Sequence, residues 1–179
     1  MLTWFYCLDM IDAVLLVAVA SMAFLTLKAL WGEHPRWRPV VGSLAVVWFL
    51  IVGYVTLASR EPEGQLGVRW IPFYSYYLAF TGINEEMLRS SFMNVVLFYP
   101  AGLLAGAAWC FGVKTGKRIL LLAAVGCGVS VLVEAMQYFY QLGLVEVDDV
   151  IHNTLGMVLG VMVGRAKTDW IKKLRNSDL

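Results

Sequence analysis

Charge is scarce in this chain. Of its 179 residues only 15% are charged and 60% are hydrophobic, where soluble domains usually have roughly a quarter and just under half. A soluble fold of this size has no interior large enough to hide that much apolar surface. Cysteine is equally sparse: Cys7, Cys110 and Cys127 sit singly in or beside apolar runs, without the CxxC pairing that zinc or redox chemistry needs. They read as small packing residues. The absence of any basic stripe or arm leaves nucleic acid without support as a partner. GxSxG, HExxH and phosphate-cradling glycine loops are also missing. The first residues carry Asp9 and Asp12 instead of a basic n-region, and no small-residue cleavage site follows. A retained helix is therefore predicted there, not a signal peptide.

What the chain does have is long apolar runs. A bilayer core of about 30 Å requires about 20 such residues at 1.5 Å each. Five stretches qualify, approximately 11–31, 40–58, 92–111, 119–140 and 150–164, the last of them short by this measure. Pro35 and Pro39 separate the first two, and the Gly112–Gly116 stretch marks the turn between the third and fourth. The prediction is one all-α domain over residues 1–179, a polytopic membrane bundle of five transmembrane helices. Lys and Arg orient it. Arg36 and Arg38, then Lys114, Lys117 and Arg118, then the tail from Arg165 to Arg175 fall on one side if there are five spans. Asp9, Asp12, Glu146, Asp148 and Asp149 fall on the other. The positive-inside rule makes the first side cytoplasmic, so the amino terminus is outside and the carboxyl terminus inside. Segment 59–91 is then extracytoplasmic. Its aromatic-rich middle, with Trp70, Phe73, Tyr74, Tyr76, Tyr77 and Phe80, fits either a short interfacial helix or an ordinary aromatic belt.

Ionisable and amide groups inside a span are the informative ones, since a charge at mid-bilayer costs about 2.5–3.5 kcal/mol on the insertion scale. Glu134 and Gln137 lie three apart in the fourth helix, with Gln141 continuing their face. Asp149 and Asn153 lie four apart in the fifth, above Gly156 and Gly160 on the same face. Asn94 opens the third helix and Arg60 closes the second. Under the predicted topology all of these fall at one depth near the outer surface. Arg60 or Arg89 is the natural counter-charge for Glu134, Asp148 or Asp149, and Asn94, Gln137 and Asn153 complete the hydrogen bonds. The plainer alternative is that the amides only join helices and that Asp148 and Asp149 cap the fifth. Glu134 resists that explanation, because a carboxylate in an apolar helix is a functional candidate by default. His152 points about 100 degrees from Asn153 and reads as an interface residue. Gly102, Gly106, Gly126, Gly128, Gly156, Gly160 and Gly164 read as close-packing positions, and Pro100 as a kink in the third helix. Glu134, Asp148 and Asp149 supply oxygen donors, but no spacing marks a metal site, and neither metal nor cofactor is expected.

In order, Arg60, Ile71-Pro72-Phe73, Asn94, Phe98-Tyr99-Pro100-Ala101-Gly102, Glu134-x-x-Gln137, Asp148-Asp149-Val150 and Asn153-Thr154-Leu155-Gly156 with Gly160 resemble the VanZ-like family. That family is named for a teicoplanin-resistance protein of Gram-positive bacteria. The resemblance runs from about Tyr54 to Gly164 and implies a bacterial membrane protein, some of whose relatives are linked to tolerance of glycopeptide or lipoglycopeptide antibiotics. It also implies that Arg60, Asn94, Glu134, Gln137, Asp149 and Asn153 are signature positions. One departure stands out: many members carry an Arg shortly before the acidic pair, where this chain has Gly143-Leu144-Val145, so any role of that Arg as counter-charge or anion contact is lost here unless Arg89 substitutes. The reading is a site open to the outer leaflet that binds or modifies a membrane lipid, a lipid-linked envelope component or a lipidated antibiotic. Glu134 and Asp149 are the catalytic candidates. Arg60, Arg89, Asn94, Gln137, Asp148 and Asn153 would contact the substrate. With no nucleophile evident, catalysis stays open beside a non-catalytic scaffold, and a transporter is weaker because no polar residues line the cytoplasmic half.

Overall fold

The computed structural model describes residues 10–31, 34, 36–58, 67–83, 86–110 and 115–166. Helix α1 (Met10–Trp31) is followed by α2 (Trp37–Gly53), which runs into a π turn at Tyr54–Ala58. Strand β1 (Val68–Arg69), the short α3 (Tyr74–Phe80), α4 (Glu86–Trp109), α5 (Thr115–Tyr140), β2 (Val145–Glu146) and α6 (Val147–Gly164) complete the order. Arg60, Ser59, Asp9, Cys7, Pro35, the stretch 111–114 and the tail from 167 lie outside the described residues.

Among the described residues, three helices are long and apolar enough to cross a membrane: Trp37–Ala58, Glu86–Trp109 and Gly116–Tyr140. Helices α1 and α6 have 22 and 18 residues, and α6 carries Asp148 and Asp149 in its first turn. Large apolar side chains point outward, among them Leu44, Leu50, Leu120, Leu132 and Phe139, while alanines and glycines fill much of the inside. That distribution suits a hydrocarbon solvent, where close approach of backbones takes over from the hydrophobic effect in holding helices together. Pro39 sits in the first turn of α2, where its missing N–H breaks no intrahelical bond. Pro100 lies inside α4 and removes the N–H that would reach the Val96 carbonyl. In the same turn the Trp48 indole donates to the Leu97 carbonyl at 2.9 Å.

Helix α4 is central and touches each of the other helices. Its closest partner is α6. A Cβ on Gly156, Gly160 or Gly164 would run into the carbonyl oxygen of Val95, Tyr99 or Leu103, and one on Gly102 or Gly106 into that of Met157 or Val161. Both numberings rise together, so α4 and α6 run parallel with their backbones in direct contact. Gly126 on α5 meets the Met157 side chain, whereas Gly128 faces open space, so only the first of that pair is a packing position. Ser130 on α5 bonds Asn153, one turn before Met157 on α6, which makes α5 antiparallel to α6. Gly42 lies against Trp109, and Trp48 against Leu97, so α2 is antiparallel to α4.

Helix α1 runs with α4 and α6. Ser21 and Tyr99 share a 2.7 Å hydroxyl hydrogen bond, and Lys28 Nζ donates to the carbonyls of Gly164 (2.6 Å) and Ala166 (2.8 Å). Those carbonyls belong to the end of α6, where a cation also meets the negative end of the helix dipole. Lys28→Met is expected to lower stability by about 1–3 kcal/mol, read as a reduced melting temperature in detergent, with Lys28→Arg retaining most of it. An unchanged Lys28→Met melting temperature would remove the cap from the account.

The alternation gives the bundle two chemically different ends. Lys28, Arg36, Arg38, Lys117, Arg118 and Arg165 gather where α1, α4 and α6 finish and where α2 and α5 begin. The π turn, the start of α4, the end of α5 and the start of α6 meet at the other end, beneath α3.

Candidate functional site

Strands β1 and β2 build the polar end. They pair in parallel, with Val68 opposite Val145 and Arg69 opposite Glu146. The Arg69 guanidinium binds Glu146 at 2.6 Å and lies 5.3 Å from the centre of the Tyr74 ring. The other Glu146 oxygen accepts from Ser75 Oγ at 3.2 Å, and the Glu146 backbone N–H donates to Glu134 at 3.2 Å. The chain reaches β2 through a turn with Gln141 at φ +56° and Gly143 at φ +144°. Gln141 is therefore outside α5 and exposed, and the predicted extension of the Glu134 face to that residue does not form.

Asp148 holds α3. Its two carboxylate oxygens accept from the backbone N–H groups of Phe73 (2.5 Å) and Ser75 (2.9 Å), satisfying donors at the start of that helix from outside it. Phe73 takes a left-handed conformation, φ +62°, to present its N–H. The Tyr76 hydroxyl meets His152 Nε2 at 2.7 Å, with ring centres 5.5 Å apart. His152 is only 3% exposed, which corrects its reading as an interface residue: the start of α6 is covered by α3, so the ring points into the molecule. Trp70, Ile71, Phe73, Tyr77 and Phe80 are all more than half exposed on the outer side of this cap.

The amides divide between two roles. Gln137 Nε2 donates to the Thr56 carbonyl in the π turn at 3.1 Å, tying α5 to the irregular end of α2. Asn153 Nδ2 donates to Ser130 Oγ at 2.8 Å, tying α6 to α5. Asn153 Oδ1, His152 Nδ1 and Asn94 Nδ2 are buried and have no hydrogen-bond partner among the described residues. Each such atom costs about 1–3 kcal/mol if nothing meets it. Asn94 lies two turns inside α4, because that helix begins at Glu86 and not at Phe92.

Glu134 is buried at 4% exposure. Asp149, in the first turn of α6, and Arg89, near the start of α4, are half-buried, and both are engaged by neighbouring groups. The structure thus brings Asn94, Glu134, Gln137, Asp148, Asp149 and Asn153 to one end of the bundle. It uses Asp148, Gln137 and the Nδ2 of Asn153 for internal ties. Arg60 falls outside the described residues.

Sequence reasoning missed Arg69, Glu146, Ser75, Tyr76 and Ser130 as members of this cluster. The strand register sets Arg69 directly opposite Glu146. Two-residue strands have no readable periodicity, so nothing local announced that pairing. Among the described residues, no group of three or more His, Cys, Asp or Glu side chains is arranged to hold a metal ion.

These features define an all-α membrane bundle with a polar end closed by a short helix. A comparison with known families narrows that class. The chain belongs to the VanZ/LLP1 family, whose model matches residues 39–168. No curated protein and no solved structure matches it significantly.

Proposed function

We propose that this protein crosses the bacterial plasma membrane five times, amino terminus outside, and that its polar end is an outer-leaflet site for an amphiphile. Its ligand would be a lipid-linked cell-envelope component or a lipidated glycopeptide antibiotic, and the protein would contribute to antibiotic tolerance. Alternating helix directions support the topology. So does the gathering of Arg36, Arg38, Lys117, Arg118 and Arg165 at the end opposite the carboxylates. A reporter fused at residue 146 is expected to register outside the membrane.

One observation carries the site: Asn94, Glu134, Asp149 and Asn153 share one end beneath α3, whose exposed aromatic residues suit a headgroup region. A tail would lie along the apolar outer faces of the helices, and a headgroup would enter under α3. In a catalytic version Glu134 or Asp149 moves the proton. Glu134→Gln and Asp149→Asn, expressed at wild-type level, are expected to change antibiotic susceptibility or envelope lipid composition. If both variants match wild type on both measures, the site reading is wrong.

The bonds Gln137–Thr56 and Asn153–Ser130 favour a second reading, a non-catalytic scaffold whose polar residues specify packing. Under it, Gln137→Leu loses function in proportion to its fall in melting temperature. Loss of function by Glu134→Gln at unchanged melting temperature belongs to the first reading alone.

A further inference from the structure

The register of the bundle continues past its glycines. On α4 the residues turned toward α6 recur every fourth position: Gly106 against Val161, Gly102 against Met157, then Phe98 and Asn94. The matching series on α6 runs Val161, Met157, Asn153, Asp149. On α5, Gly126 meets Met157 and Ser130 bonds Asn153, and the next position is Glu134, which receives the Glu146 N–H. The other α6 series, Gly164, Gly160 and Gly156, lies against the α4 backbone and continues to His152. Toward the same end of the bundle, every series passes from small or apolar residues to a polar side chain. Asn94, Glu134, Asp149 and His152 therefore mark the polar mouth of the seam, where larger polar side chains follow the glycines.

The partnerless atoms belong to this mouth or to the turn just below it. Asn94 Nδ2 is a donor and Asn153 Oδ1 an acceptor. His152 Nδ1 is either one, according to which ring nitrogen carries the proton. Asn153 and His152 are 4% and 3% exposed, so bulk water does not reach them. A phosphate chiefly accepts. It would face Asn153 Oδ1 and the carboxylates of Glu134, Glu146, Asp148 and Asp149, while Arg69 already holds Glu146. An ammonium only donates and would leave Asn94 Nδ2 unmet. A hydroxyl does both, and adjacent hydroxyls can answer a donor and an acceptor at once.

We propose that the mouth of the α4–α5–α6 seam binds an uncharged, hydroxyl-bearing headgroup, a sugar or other polyol, with Asn94 Nδ2 donating to it and Asn153 Oδ1 accepting from it. His152, fixed by Tyr76, supplies the third contact, and the Tyr76 ring lies beside it as an apolar wall. This rests on the amphiphile-binding reading and adds the headgroup class to it.

The full chain in phosphatidylcholine nanodiscs would be titrated with octyl glucoside, octyl phosphate and octylammonium, each below its micelle concentration, following tryptophan fluorescence. The glucoside is expected to bind about tenfold more tightly than either charged probe. Asn94→Leu is expected to abolish that preference while leaving the melting temperature of the unliganded protein unchanged or raised, because it removes a donor that lacks a partner. Equal saturable binding of all three probes, or a preference for a charged one, overturns the headgroup class and leaves amphiphile binding standing. Saturable binding by none overturns both. A lower unliganded melting temperature for Asn94→Leu overturns the proposal in favour of an internal water bridging the same atoms.

Discussion

Gly160→Ala is expected to abolish the close contact of α4 and α6 and to destabilise the protein by about 3 kcal/mol or more. The added methyl would overlap the Tyr99 carbonyl oxygen and come within 2.6 Å of the Leu103 nitrogen. Both are backbone atoms, so no rotamer change relieves the clash and the helices have to separate along the whole seam. The measurement is thermal unfolding in detergent, with size-exclusion chromatography to follow loss of the monodisperse species. Gly128→Ala is the control: nothing lies within 4 Å of the new carbon, and it is expected to be neutral or to stabilise α5 by up to about 1 kcal/mol. Equal melting temperatures for the two variants would mean that the seam is looser than described.

The second large effect is local. Asp148→Ala removes both acceptors that hold the start of α3, and hydrogen bonds to a charged group contribute about 1.5–3 kcal/mol each. Little apolar burial compensates, since the largest side chains of this segment point outward. Hydrogen exchange over residues 73–80 is expected to accelerate by about 100-fold or more, while α4 and α6 keep their protection. Asp148→Asn, which keeps an acceptor, should fall between. Wild-type protection of α3 in Asp148→Ala would show that other contacts fix the cap.

Much of this was legible from the residues alone, because membrane helices announce themselves by apolar length and their packing by glycine spacing. The four-residue intervals of Gly102, Gly106, Gly156, Gly160 and Gly164 became the seam. What apolarity measures, however, is hydrocarbon thickness and not hydrogen bonding. Helix α4 begins at Glu86 because Glu86, Arg89 and Ser90 are compatible with helix while adding nothing to an apolar run. The same blindness placed Asn94 in a first turn. The polar residues fall at one end of the bundle, but their partners were not legible. Arg69 finds Glu146, and Asp148 finds Phe73 and Ser75, across more than seventy residues of chain. His152 was misjudged because a single histidine at a helix start gives no hint that a tyrosine from the preceding connection will cover it.

Helices that touch through their main chains cannot slide or rock against each other without tearing that contact. The parallel pair α4 and α6 therefore behaves as a single strut, and any rearrangement of the bundle has to hinge around it, by swinging α3 aside or by tilting α5 away at its Ser130 junction.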